Sequence, residues 1–308
     1  MQILVIGELN ADLILGNYNA FPSLGREVLV ESATLTLGSA SAICAAGMAT
    51  LGEQVKFIGK VGKDSWADLC LNWLAASGVD AGMVIRDASV QTGITVSLTS
   101  ARDRALVTYP GAMATMRADE IDERAFAGCN HLHVSSFFLQ HGLRPGLNGL
   151  LARARQMGLS TSLDPGFDPS ETWGSDLLEC LTGIDIFFPN EVELAGITGI
   201  ADTTAALRHL ANGRTLTVAK LGAAGCAALQ DNEVVRVPAF HVEPVDTTGA
   251  GDNFNAGFVH AWLRKRPLEE AMRFANACAA LSTLSAGGIG AQPTASQAHE
   301  FMLAGVRA

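Results

Sequence analysis

The sequence predicts an α/β fold: a mostly parallel sheet flanked by helices, with a small β-sheet lid inserted among the early units. Three observations carry this. Short aliphatic runs alternate with helical stretches over most of the 308 residues. The strand-like runs are almost continuously apolar, as strands buried on both faces must be. Two segments, roughly 13–36 and 91–116, break the rhythm with alternating runs such as ITVSLTSARDRALVTYP, which predicts antiparallel strands with one wet face.

ILVIG (3–7) reads as the first strand, and the first lid segment follows it. SAICAAGMATLG (41–52) is helical in pattern, VKFIGKVG (55–62) a strand, and SWADLCLNWLAASG (65–78) a helix. Trp66 and Trp73, seven apart on that helix, point to the core. The second lid segment carries Arg102 and Arg104, read as solvated hairpin residues. HLHVSSFF (131–138) is a strand on which His131 and His133 alternate, one expected to face the site and the other to pack. RPGLNGLLARARQMG (144–158), LSTSLDP (159–165), IDIFFPN (184–190), TTAALRHLANG (203–213) and LTVAKLG (216–222) continue the alternation. Each of these helices ends near glycine, the usual C-terminal stop. RKRPLEEA (264–271) reads as an exposed helix. No repeat or linker divides the chain, so residues 1–308 are expected to form one domain.

Hydrophobic residues at 48% and charged ones at 17% provide for a large buried core. A net charge of −10 argues against a nucleic-acid partner, which favours a basic face. The six cysteines are scattered without a C-x-x-C pair, the pattern of buried reduced thiols in a cytoplasm. The start lacks a basic signal region, and no apolar run reaches the roughly 18 residues of a membrane span.

Ligands of open parallel sheets sit beyond the carboxyl ends of the strands, and polar residues recur there. Asn10 and Asp12 follow the first strand; Asp164 ends another; Asn190, Glu191 and Glu193 follow a third; Lys220 and Gly222 end a fourth. DTTGAGDNFNAGF (246–258) then precedes an apolar helix. Gly249, Ala250 and Gly251 leave backbone amides open beside the positive end of that helix, an anion cradle. No G-K-[ST] follows, so this is not a Walker loop. Asp252 at the helix start suits either a base that takes a hydroxyl proton or a plain helix cap.

DTTGAGDNFNAGF resembles the signature of the ribokinase-like (PfkB-type) carbohydrate kinases. Further motifs recur in order: N-A-D after the first strand, a glycine-led helix start near Gly38, G-K-V-G-K-D (59–64), P-N-E-V-E (189–193), K-L-G-A-A-G (220–225) and A-N-A-C-A-A from 275. The resemblance implies an ATP-dependent kinase acting on a primary hydroxyl of a sugar or sugar derivative, with Asp252 as general base and Gly249–Gly251 as anion hole. It implies that Asn190 and Glu193 organise Mg²⁺ through water. Lys220, Gly222 and Gly225 would line the ATP site, with Asn276 near the adenine. Asn10 and Asp12 would hold sugar hydroxyls. In relatives that use a monovalent cation, the first Asp of the motif helps bind K⁺; here that is Asp246, with Thr248, Ser282, Ser285 and Gly287 as oxygen donors. The other reading of Asp246 is an Asx cap of the turn. Relatives commonly dimerise through the lid, so a homodimer is expected.

Two departures bear on the substrate. Family members commonly show G-G-x-x-x-N after the lid, whereas this chain has Gly38, Ser39 and Ile43. Ile43 cannot bond a hydroxyl. The sugar-binding Glu near the end of HLHVSSFFLQ is not evident; Gln140 or His141 lies there. Simple ribose is therefore not the expected acceptor, and a nucleoside kinase or a non-catalytic nucleotide or sugar sensor stands as the alternative.

Overall fold

Strand β1 (Gln2–Ile6) shows in four residues how the chain is layered. Ile3 and Val5 belong to one buried cluster, Leu4 and Ile6 to another on the opposite face. A strand with no polar side is stable only between two helical layers. The computed structural model describes residues 1–18, 20–99, 104–174 and 176–305.

After β1 the chain forms β2 (Asn10–Tyr18), β3 (Val30–Leu37), α1 (Ala40–Thr50), β4 (Gln54–Ile58), β5 (Lys60–Val61), α2 (Ser65–Ala76), β6 (Ile85–Arg86), β7 (Gly93–Thr99) and β8 (Arg104–Tyr109). Strand β9 (His131–Val134), α3 (Arg144–Gln156), β10 (Ser160–Leu163), α4 (Asp176–Leu181), β11 (Ile186–Phe187), α5 (Glu191–Thr198), α6 (Thr203–His209) and β12 (Leu216–Lys220) follow. The end comprises β13 (Cys226–Gln230), β14 (Glu233–Val237), α7 (Ala250–Leu263), α8 (Leu268–Ser282) and α9 (Ala295–Ala304).

Among the described residues the main sheet has eight strands in the order β14-β13-β12-β11-β10-β9-β1-β4. From β4 to β12 every pairing is parallel; β13 and β14 close the edge as antiparallel hairpins. Residues of α1, α2, α7, α8 and α9 pack on one face, those of α3 to α6 on the other.

A four-stranded sheet of order β3-β2-β7-β8 stands apart. It corrects the all-antiparallel expectation, because β2 and β7 pair in parallel, Asn10 opposite Gly93. The pairing is non-local: between β2 and β7 the chain passes through β3, α1, β4, β5, α2 and β6. VKFIGKVG is not one strand. It breaks at Gly59, β4 going to the main sheet and β5 to β6. Arg102 lies outside the described residues, as does the Arg104 side chain. RKRPLEEA is not one helix either: α7 ends at Leu263, Lys265 turns the chain at φ 56°, and α8 begins after Pro267.

All six cysteines are buried and unbridged. Trp66 and Trp73 are half-buried against the α1/α2/α7 cluster. Among the described residues no helix is long and apolar enough to cross a membrane.

Candidate active site

The turn before α7 is fixed by close contact and by a network of side-chain bonds. Gly249 has φ 75°, and a Cβ there would come within 2.6 Å of Gly288 Cα, so glycine is needed twice over. Asn253 Nδ2 donates to the carbonyls of Gly249 and Gly288, both at 2.9 Å. Gln292 Nε2 donates to Asn253 Oδ1 and to the Ile43 carbonyl, each at 2.9 Å. The Ala250 N–H donates within the turn to Thr247 O at 3.2 Å. Gly251 and Asp252 follow in the first turn of α7, where the helix presents its positive end.

Asp246 sits behind this turn. Its Oδ1 accepts from the Thr248 N–H (2.9 Å) and hydroxyl (2.8 Å), and its Oδ2 accepts from the Gly287 N–H (2.9 Å). That is the Asx cap, extended to pin a second loop. Ser282 turns its hydroxyl to Ala279 O in its own helix, at 2.8 Å.

Two cavities meet at the Gly249–Asp252 run. The larger, of ≈600 Å³, is lined by Lys220, Gly222, Gly225, Ala250, Gly251 and Asn276 among others. The smaller, of ≈170 Å³, is lined by Glu8, Asn10, Asp12, Ser39, Ile43, Thr95, Thr108, Ser136, Gly249 and Asp252 among others. Asn276 donates to Val237 O (3.2 Å) and Pro238 O (3.0 Å), tying α8 to the end of β14 along the larger cavity.

Under the larger cavity lies a buried charge cluster built from three strand ends. Lys220 Nζ donates to Asp164 Oδ2 at 2.5 Å, and Asn255 Nδ2 donates to the same oxygen at 2.6 Å. Burial opposes the ionised Asp164, but the Lys220 ammonium outweighs it and holds the carboxyl below its ordinary range. Burial likewise opposes the Lys220 ammonium, and Asp164 and Glu193 overcome that and raise its pKa. Glu193 is pushed up to about 7, first by burial and then by the Asp164 charge. Asn190 and Glu193 form a capping box on α5. Asn190 Oδ1 accepts from the Glu193 N–H at 2.9 Å, and Glu193 Oε2 accepts from the Asn190 N–H at 2.7 Å.

On the smaller cavity, Asn10 is the hub. Its Nδ2 donates to Asp12 Oδ1 (2.9 Å) and Thr95 Oγ1 (3.0 Å), and its N–H donates to Ser39 Oγ at 2.8 Å. The Ser39 hydroxyl also donates to Asn10 Oδ1. Ser39 has φ 71°, the left-handed region that favours glycine, so these bonds hold a strained residue. Gly38 supports Asp12: a Cβ there would stand 2.0 Å from Asp12 Oδ1.

Several expected residues lie off both linings. Gln140 is buried, its Nε2 donating to Ser135 O at 2.5 Å while its Oε1 has no partner. Asn190, Glu193, Asp246, Ser282, Ser285 and Gly287 line neither cavity. His131 and His133 do not split between site and core. Residues two apart on a strand share a face, and both are fully buried, bonded through Ser162 Oγ at 2.7 Å each. Burial lowers them to about 3 and about 4, so both are neutral.

The sequence reading missed Glu8, Thr95 and Ser136 as cavity residues. Glu8 is 2% exposed, and its carboxylate accepts from the Ser41 N–H (3.1 Å), the Ser41 hydroxyl (2.5 Å) and the Ser136 hydroxyl (2.7 Å). An acid one glycine past the apolar run Ile3–Ile6 was the available signal.

A donor-sized cavity and a small polar cavity joined at a helix-start turn, on a doubly covered parallel sheet, define a small-molecule group-transfer protein. The family model described as pfkB family carbohydrate kinase matches residues 1–295, and the chain belongs to that family. It is 31% identical over 305 residues to an ATP-dependent ribose-1-phosphate kinase of Halopiger xanaduensis, covering 98% of each chain. It is 29% identical to the ribokinase of Haemophilus influenzae, with 97% of each covered. The solved structure of Arabidopsis thaliana ribokinase complexed with ribose and ATP shares the fold at a TM-score of 0.83. Identity there is 24%, and the match covers 97% of this chain and 98% of that one.

Proposed function

We propose that the chain transfers the terminal phosphoryl group of ATP to a primary hydroxyl of a sugar or sugar derivative, with Asp252 as general base. The observation that carries this is the shared wall: Gly249 and Asp252 face the small polar cavity, Ala250 and Gly251 the large one. Phosphoryl transfer asks a protein mainly to hold donor and acceptor in line and to stabilise charge between them. A wall common to both cavities is the place for that.

In this reading the ATP lies in the larger cavity along Lys220, Gly222, Gly225 and Asn276. Asn10 and Asp12 hold acceptor hydroxyls, and Asp252 accepts the proton of the attacking one. The start of α7 and the Lys220 ammonium receive the charge that moves onto the transferring group. Mg²⁺ bound with the nucleotide supplies neutralisation of the phosphates. Glu193 and Asn190 fit a water-mediated role: they offer oxygen donors, and a nearby divalent cation would oppose the burial and Asp164 charge that raise the Glu193 carboxyl to about 7. The K⁺ set fits less well. Thr248 and Gly287 already bond both Asp246 oxygens, and Ser282 faces its own helix, so no step is routed through that cation.

The ≈170 Å³ acceptor cavity is smaller than the roughly 300 Å³ at which drug-sized ligand pockets begin, which favours a single ring over a nucleoside. The small sheet acts as the lid over it, contributing Thr95, Ser97, Leu106 and Thr108. Leu35, Val107 and Tyr109, on the face of that sheet away from the cavity, are exposed, the kind of surface a second copy covers. A dimer by light scattering at micromolar concentration supports that pairing, and a monomer refutes it.

The deciding experiment is a coupled ADP-release assay on Asp252→Asn. The variant should bind ATP with little change and lose most turnover; near-normal turnover removes Asp252 as the base.

A further inference from the structure

A third cavity, of ≈380 Å³, opens among the end of α7, α8 and the start of α9. It shares no lining residue with the two cavities at the Gly249 turn, and the phosphoryl-transfer reading makes no use of it. Its lining is basic: among the described residues Arg264, Arg266, His260 and His299 stand there with a single carboxylate, Glu270. Arg266 Nη1 already donates to Glu270 at 2.7 Å, and Arg264 Nη1 is spent on Glu53 and the His260 carbonyl. Among the described residues the Nε and Nη2 groups of both guanidiniums have no acceptor.

His260 carries the argument. Its side chain is 9% exposed, and its ring stacks on Phe274 with centroids 5.3 Å apart. Nδ1 lies 2.7 Å from Glu53 Oε1. Burial opposes the charge on Glu53, but its bonds from His260, the Met1 ammonium and Arg264 hold the carboxyl at about 2. Glu53 can therefore only accept, and Nδ1 carries the proton. Glu53 is not on the cavity lining, so the edge of the ring that meets the cavity is the one with Nε2. Among the described residues no group bonds that nitrogen. A buried ring tethered at one nitrogen and unpartnered at the other is a site for a ligand atom.

The donors belong to α7, α9 and the turn after α7. The Ser296 hydroxyl and the first N–H groups of α9, which have no intrahelical acceptor, add to them. A carboxylate offers two oxygens in one plane, whereas a phosphoryl group offers three around a tetrahedron and suits guanidinium forks. The rest of the lining, including Leu51, Ala261 and Phe274, is apolar, and the volume exceeds what bare phosphate fills.

We propose that this cavity binds a phosphate monoester. The phosphoryl oxygens lie on Arg264, Arg266 and His260 Nε2, and the organic group lies against Leu51 and Phe274. The contact at Nε2 needs one proton, which the imidazole or an ester with a second pKa near about 6 supplies. Asp252 begins the same helix about 12 Å away along its axis, so the ester sits outside the transfer site.

The test is calorimetric titration of the folded protein with butyl phosphate, inorganic phosphate, butanol and malonate, each with and without a saturating non-hydrolysable Mg·ATP analogue. Butyl phosphate should bind once per chain, about tenfold more tightly than inorganic phosphate because its alkyl group is buried. Malonate should bind more weakly than the ester and butanol not at all. The nucleotide analogue should leave the ester affinity unchanged. Both Arg266 and His299 are exposed side chains, so the double variant Arg266→Gln/His299→Gln should keep its melting temperature and its affinity for the nucleotide analogue. It should weaken the ester about tenfold or more, the effect of a lost charge-assisted donor. Ester displaced by the nucleotide analogue belongs to the transfer site, which overturns the proposal. An ester affinity untouched by the double variant overturns it too, as does inorganic phosphate bound as tightly as the ester. No binding at millimolar ester also overturns it, and each of these results leaves the kinase reading standing.

Discussion

Replacing Lys220 by Met separates what its charge does for stability from what it does for transfer. The substitution leaves Asp164 buried with only Asn255 as side-chain partner. Stranding one member of a buried ion pair costs about 3–5 kcal/mol. At roughly 2 °C per kcal/mol for a domain of this size, the melting temperature should fall by about 6–10 °C. Lys220 Nζ also stands 3.4 Å from where a Gly251 Cβ would be, so the ammonium faces the turn that receives the moving charge. Losing such a preorganised positive group should lower kcat by about 10²–10³-fold. The double variant Lys220→Met/Asp164→Asn removes the stranded carboxylate. It should regain most of the melting temperature by calorimetry while kcat stays low in the ADP-release assay. Recovery of kcat to within about fivefold of wild type would refute the reasoning, since Lys220 would then serve only to neutralise Asp164.

Glu53 offers a test by pH. Burial works against its ionised form, yet bonds from His260, the Met1 ammonium and Arg264 hold its carboxyl at about 2 instead of 4.5. A lowered folded pKa stabilises fully above the unfolded value and is lost as pH falls through the folded one. Glu53→Gln should therefore cost about 3 kcal/mol by denaturant titration at pH 7, a gap that narrows below about pH 4.5. A gap independent of pH down to pH 3.5 would show that packing, not charge, holds the site. Gly249→Ala should lose roughly 1–2 kcal/mol for its left-handed backbone and at least about 100-fold in kcat from displacing the turn. An unchanged melting curve would contradict the φ of 75°.

Much of the main sheet was legible because strands such as β1 and β11 are locally apolar and helices such as α1, α2 and α3 end near glycine. The motif around Asp252 was legible because its residues are contiguous. The smaller cavity was legible only in part: Asn10, Asp12, Ser39 and Ile43 were read, whereas Glu8, Thr95, Thr108 and Ser136 come from separate elements whose meeting is set by long-range pairing. The parallel β2–β7 pair hid for the same reason: alternation in sequence says which side chains share a face but not which strand lies beside them. Asp246 shows a different limit. The sequence was read toward a cation ligand with a turn cap as the other reading, and only the Gly287 N–H, 41 residues away, shows how its second oxygen is used. The histidines were misplaced by a period-two rule that was available and misapplied.

Those histidines form part of a chain across β9 and β10: Ser160, His131, Ser162, His133 and Ser135, in four links of 2.7–2.8 Å. A neutral imidazole donates through one nitrogen and accepts through the other. With one proton per link, choosing the tautomer of His131 fixes the Ser162 hydroxyl, and through it the tautomer of His133 and the orientation of Ser135. The middle of the sheet thus holds a single two-valued register, read from one end of the strands to the other. Imidazole ¹⁵N shifts should report both rings in the same tautomer, and a substitution at Ser162 should let them disagree.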